Sequence, residues 1–154
     1  MRTLKLKNGV LAPSTEEFAA EITLASWRDG ARPEGGRVAL ALPNDADVGE
    51  VAAGLAAFAA IVLEFPTFRD GRAYSQARLL RERYDYRGEI RARGEVLQDQ
   101  IFFMARAGFD AFEIASGEAE AFAEALRAFS HVYQPAADGA VPVWRLRARR
   151  AEAA

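Results

Sequence analysis

Arg37-Val38-Ala39-Leu40-Ala41-Leu42-Pro43 is the stretch on which the fold turns. Five apolar residues between an arginine and a proline read as a short strand buried on both faces, and Pro43 ends it. Asn44-Asp45-Ala46-Asp47 follows. Asp47 and Glu50 are spaced as a capping box, and Val48, Val51, Ala52, Leu55 and Phe58 then recur at helical spacing. A second apolar run, Ala60 to Phe65, repeats the strand. The loop Pro66 to Arg72 leads into a helix with Ala73, Ala77, Leu80 and Tyr84 on one face. Glu89 to Arg93 is a third strand, closed by Gly94. Leu97, Ile101, Met104 and Ala105 form the next helical stripe, stopped by Gly108. Phe109 to Ile114 is a fourth strand. Ser116 is placed to cap the last helix, whose stripe is Ala119, Phe122, Leu126 and Phe129.

Strand–helix alternation from Arg37 to Phe129 implies an α/β fold with a mainly parallel sheet and right-handed crossovers. Four such βα units fit either an open doubly wound sheet or a half-barrel-like one, closed by the flanking segments or by a partner chain. Residues 1–36 read as an N-terminal extension. Asn8-Gly9 between Leu4-Lys5-Leu6 and Val10-Leu11 signals a hairpin. Glu16 to Trp27 is a short helix or a loop with a strand, and Arg32 to Gly36 (RPEGG) marks a boundary. Residues 37–130 form the βα-repeat domain. Residues 131–154 form a C-terminal edge segment and tail of the same domain. There Pro142 to Leu146 is expected to add an edge strand, and the arginines between Arg145 and Arg150 form a solvated end.

The chain has 154 residues, 51% hydrophobic and 27% charged, with a formal net charge of -2. That balance excludes a disordered chain and gives no general pull toward nucleic acid or an anionic membrane. The longest apolar run, Val51 to Leu63, is alanine-rich and short for a bilayer, and the first residues lack the apolar stretch of a signal peptide. A cytoplasmic, soluble protein is expected. Cysteine is absent and His131 is the single histidine, which excludes disulfides, thiolate nucleophiles, iron–sulfur ligation and Cys-type or paired-His metal sites. His131 follows a helix and reads as a surface residue. No G-x-G-x-x-G follows a strand, and neither G-x-x-x-x-G-K-[ST] nor G-x-S-x-G occurs, so no cofactor is evident.

Parallel α/β folds place ligands beyond the carboxyl ends of their strands. Those ends carry Asn44 and Asp45 after the first strand, and Arg69, Asp70, Arg72, Tyr74 and Ser75 after the second. The third strand contributes Arg91 and Arg93, followed by Asp99 and Gln100. Arginine forks beside helix N-termini suit a small oxyanion, a phosphorylated ligand or a partner's carboxylate. The alternative is internal: Arg69 and Arg72 pair with Asp70 and Asp99 and hold a loop shut. In the third strand Glu89, Arg91 and Arg93 share one face, opposite Ile90 and Ala92. Buried charges must be paired. A row of Glu64, Arg91 and Glu113 satisfies that, as a structural ion network or as the floor of an active site. Among the aromatics, Phe68, between Thr67 and Arg69, is the one expected to be exposed.

Three strings, Phe65 to Arg81 (FPTFRDGRAYSQARLLR), Gly88 to Gln100 (GEIRARGEVLQDQ) and Arg106 to Phe112 (RAGFDAF), carry a family resemblance. The chain resembles domain-of-unknown-function family nine-three-four of bacterial proteins, labelled as an oxidoreductase involved in sulfite reduction, over roughly residues 37 to 130. The family usually has glycine where this chain has Ala73. Its motif positions here are Asp70, Gly71, Arg72, Tyr74, Ser75, Arg91, Gly94, Asp99 and Gln100, and the family supplies no established catalytic residue. The resemblance implies a role beside sulfite reductase haemoprotein or a related assimilatory enzyme. With no cysteine and no nucleotide fingerprint, the redox centres belong to that partner, or a flavin or nicotinamide binds without the usual motif.

Three functions are consistent with the sequence. One is an accessory protein of assimilatory sulfite reduction, acting through the arginine-rich strand ends. The second is a small enzyme or binding protein for an anionic metabolite, with Asp70 or Asp99 as acid–base. The third is a homodimeric scaffold without a ligand, since a half-barrel with an exposed sheet edge is expected to associate with a second copy.

Overall fold

The computed structural model describes residues 1–152. Its centre is one seven-stranded sheet in the order β2-β1-β7-β6-β5-β4-β3. The strands are β1 (Arg2–Lys7), β2 (Val10–Ser14), β3 (Ala20–Thr23), β4 (Val38–Leu42), β5 (Ala60–Phe65), β6 (Glu89–Gly94) and β7 (Ala111–Ile114). β3 to β7 are parallel and lie side by side in chain order, while β1 pairs antiparallel with both β7 and β2. The four expected strands are β4 to β7. The extension adds a fifth parallel strand, β3, followed by α1 (Leu24–Arg28), so residues 1–36 are woven into the same sheet. Asn8 and Gly9 both have positive φ, as a tight hairpin turn requires.

Strand order separates the two architectures left open by the sequence. A doubly wound sheet reverses its order at a switch point, whereas here the order never reverses. Right-handed crossovers between successive neighbours then deliver every connecting helix to the same face. That face carries Leu40, Leu42, Ile61, Leu63, Phe65, Ile90, Phe112 and Ile114, packed with Leu80, Ile101, Met104 and Phe122 from the helices. The opposite face has its own small apolar cluster of Ala39, Ala41, Ala60 and Val62, covered by Phe18.

The sheet is curled around that second face. In a flat sheet, the outermost strands β2 and β3 would lie about 29 Å apart, at about 4.8 Å per neighbour. Only Thr15 to Ala19 separate Ser14 from Ala20. Six Cα steps reach at most about 23 Å. The half-barrel-like form follows, with residues 15–19 as a strap across its inner face. The strap's end is tied where the Ala19 amide donates to the Arg37 carbonyl at 2.9 Å.

Several helical expectations change in detail. Val48–Ala57 is a 3₁₀ helix, with Asp47 accepting from the Gly49 amide at 2.8 Å and Val48, Val51 and Leu55 buried. Its start is set by the bond from the Glu50 amide to the Asp47 carbonyl, a three-residue closure in place of the capping box. Trp27 of α1 lies over Gly54, where a Cβ would collide with its indole ring. α2 (Arg72–Arg78) continues as a π-helical turn over Leu79–Arg83. β7 starts at Ala111 and not at Phe109, because the Phe109 amide is spent on the Met104 carbonyl, closing α3 (Ile101–Ala107) over left-handed Gly108. α4 (Ala119–Leu126) is preceded by Glu118, not capped by Ser116, and Phe129 lies beyond its end, 55% exposed. Pro142 to Leu146 forms no edge strand. It opens α5 (Val143–Glu152), whose first turn is accepted by the Pro142 carbonyl and whose Arg- and Ala-rich sequence favours helix. The last two residues of the C-terminal tail lie outside the described residues.

Candidate functional site

The carboxyl ends of β4, β5 and β6 form a rim that gathers most of the expected residues. After β5, Asp70 receives the Arg72 guanidinium from Nε at 2.9 Å and Nη2 at 2.6 Å. This pairing, ahead of the backbone bond from Arg72 and the nearby Asn44 amide, holds the Asp70 carboxyl far below the ordinary carboxylate range. Asp70 and, more weakly, Asp45 raise the Arg72 pKa, so the loops after β4 and β5 share one charge cluster. Asn44 is buried there, and its Nδ2 has no hydrogen-bond partner among the described residues.

The same loop holds out a single aromatic. Phe68 is 40% exposed, yet both its backbone groups are fixed by the segment after β6. Its amide donates to Glu95 Oε2 at 2.9 Å, and its carbonyl accepts from Gln100 Nε2 at 3.1 Å. The guanidinium carbon of Arg69 lies 5.5 Å from the Phe68 ring centre. Tyr74 supports the loop from below, its ring 5.5 Å from Phe65 and 6.3 Å from Phe109. Burial, with a smaller contribution from Asp99, pushes Tyr74 up to about 12. Ser75 faces away from the rim, in a groove of α2 with Arg78 and Glu82. Asp99 is exposed and pairs with neither Arg69 nor Arg72.

Arg91 and Arg93 belong to the inner face. Arg91 Nη2 lies 2.7 Å from Glu89 Oε1, and its Nη1 lies 3.5 Å from Glu113 Oε1. Arg93 reaches Glu113 at 2.8 Å and grips Glu21 with two bonds of 2.8 Å. Lys5 joins Glu89 at 2.6 Å to Glu16 at 2.5 Å, and Arg37 touches the same two carboxylates at 3.3 and 3.2 Å. The row expected from Glu64, Arg91 and Glu113 is therefore Glu89, Arg91 and Glu113. Glu64 makes no ion pair among the described residues, because the register sets it beside Arg93, which Glu21 and Glu113 already occupy. Of the four arginines proposed for an anion, only Arg69 lacks a carboxylate partner among the described residues. Lys5, Glu16, Glu21 and Phe18 were not singled out by sequence. The Leu4-Lys5-Leu6-Lys7 alternation is a signal that could have placed the two lysines on this face, beside that of Glu89, Arg91 and Arg93.

The bacterial family described as "Bacterial protein of unknown function (DUF934)" matches residues 39–144, more than half of the chain. The chain belongs to this family. In DUF934 terms, the DGR string builds the Asp70–Arg72 brace, and the DQ string supplies the Gln100 clamp on Phe68. No curated protein and no solved structure matches the chain. No helix among the described residues is long and apolar enough to cross a membrane, and no group of three or more metal-ligating side chains occurs among them.

These carboxylates give the fold an acid limit. Glu16, bound first by Lys5 and then by Lys7, is held down at about 2. Glu21 is lowered by its bonds from Arg93. With Asp70, these groups release protons more readily folded than unfolded, where carboxylates titrate near about 4. Their stabilisation is present above that range and is lost as pH falls through it toward about 2. Asp110 works in the other direction, raised by burial against the pull of Arg81. The urea midpoint is expected to fall between pH 5 and pH 3, and the drop to shrink in molar salt, which screens the exposed pairs. A midpoint independent of pH over that interval would remove the ion pairs from the stability account.

Proposed function

We propose that the chain is a non-redox accessory protein of assimilatory sulfite reduction, and that it docks on sulfite reductase haemoprotein or a related enzyme through the strand-end rim. The observation that carries the reading is the Phe68–Arg69 knob. A large ring and a cation without a carboxylate partner among the described residues stand at the surface of a loop fixed by Glu95, Gln100 and the Asp70–Arg72 pair. Aromatic and arginine side chains are enriched at protein interfaces, and a rigid support lowers the cost of ordering them on binding. The family strings support it, since the motif residues at the rim brace this loop. The pairing of Arg72, Arg91 and Arg93 with carboxylates favours docking over the capture of a free anionic metabolite at these arginines.

The test is binding of the full chain to purified sulfite reductase haemoprotein. Phe68→Ala and Arg69→Glu are each expected to weaken it by at least about tenfold, the scale of an interface anchor. Both variants should keep the melting temperature within about 2 °C of the parent, as surface changes do. A deletion strain should grow slowly on sulfate as sole sulfur source. Normal growth, or binding untouched by both substitutions, defeats the proposal.

A further inference from the structure

The strap across the inner face sits there in the manner of a ligand. Its Glu16 carboxylate is met by Lys5 at 2.5 Å, Arg37 at 3.2 Å and Lys7 at 3.4 Å. Its Phe18 ring lies on the small-residue floor of Ala39, Ala41, Ala60 and Val62, with the Arg91 guanidinium 4.1 Å from the ring centre. Arg37 reaches both groups, since its guanidinium is also 5.9 Å from the same ring. A negative charge and an aromatic ring are thus recognised side by side, by three cations and a floor whose small side chains leave room for one ring. Closed βα barrels fill the corresponding interior with large branched side chains from their own strands. Here the strands supply alanine, and a loop residue brings the ring.

We infer that the inner face is a binding site for a small aromatic carboxylate, and that residues 15–19 occupy it in cis. Space for entry lies beside the strap. A cavity of about 550 Å³ is lined by Thr15, Glu16 and Glu17 of the strap together with Thr3, Arg91 and Glu113 of the strands. That volume is within the range of small-molecule sites. The cations select charge and the floor selects a flat ring, while the strap competes as a tethered pseudo-ligand that an incoming molecule must displace.

The probe is phenylpropionate, with phenylpropanol as its uncharged counterpart. In Phe18→Ala, phenylpropionate is expected to bind at least about tenfold more tightly than to the parent chain and at least about tenfold more tightly than phenylpropanol. Methyl signals of Ala41 and Val62 should shift on binding. Equal affinity for acid and alcohol marks a plain apolar cavity and overturns the inference, as does the absence of binding to both. Should Phe18→Ala fail to give the parent circular dichroism spectrum, Glu16→Gln serves, because it keeps the ring and releases the cations. Phenylpropionate must then bind Glu16→Gln more tightly than the parent, and no gain overturns the inference. Neither substitution touches the rim, so haemoprotein binding reports separately on the docking reading.

Discussion

Arg91→Ala is expected to cost about 3–5 kcal/mol of folding stability, the range found when one partner of a buried ion pair is removed. The Arg91 side chain is 5% exposed, between Glu89 at 7% and Glu113 at 9%. Truncation leaves both carboxylates in place without the cation they share and takes the guanidinium off the Phe18 ring. Neither carboxylate becomes wholly unpaired, since Lys5 stays on Glu89 and Arg93 on Glu113. The loss therefore belongs in the lower half of the range. Arg28→Ala is the control. Its two-pronged pair with Glu50 is as short, at 2.8–2.9 Å, but lies on the surface. Exposed pairs contribute about 0–1 kcal/mol. Urea unfolding of the two variants measures the difference. Equal losses would mean that burial confers no special weight on the inner network.

How far the sequence discloses this molecule depends on whether the signal is local. β4 and β5 could be read because each is an apolar run stopped by proline, β6 because its alternation is closed by Gly94, and their helices because the stripes recur at helical spacing. The charged alternation of Glu89, Arg91 and Arg93 announced a wet or paired face, and the sheet does pair it. What escaped is long-range. A strand between Glu16 and Trp27 was one of two readings, but β3 is only four residues, and its parallel pairing with β4 is set by no local pattern. The ion pairs join residues far apart in the chain, such as Arg93 and Glu21, 72 positions away, so the choice of Glu89 over Glu64 rested on register. Pro142-Val143-Trp144-Arg145-Leu146 alternates like a strand, yet no edge accepts it, and the arginines and alanines that follow decide for helix. The rim was legible by position, and its residues admitted two roles, anion ligands or an internal brace. The Asp70–Arg72 pair of the second reading is present, without Asp99.

That brace depends on one backbone conformation. Gly94 ends β6 with φ +104°, and a Cβ there would fall on the Phe65 carbonyl oxygen of the neighbouring strand. Gly94→Ala is therefore expected to lose about 2–5 kcal/mol, from a left-handed backbone that disfavours side chains together with a steric clash against main chain that cannot swing away. The consequence reaches the rim. The residue after Gly94 donates its amide to that same Phe65 carbonyl at 2.9 Å and holds the Phe68 amide through its carboxylate. Displacing Glu95 frees one end of the Phe68 loop, so haemoprotein binding should weaken beyond what the fraction unfolded explains. Gly71→Ala is the matched control, since Gly71 has φ -82° and nothing closer than 3.9 Å to a new Cβ. It should stay within about 0.5 kcal/mol of the parent. If Gly71→Ala and Gly94→Ala behave alike, the left-handed turn does not set the position of Glu95, and the rigidity attributed to the Phe68 knob loses its structural cause.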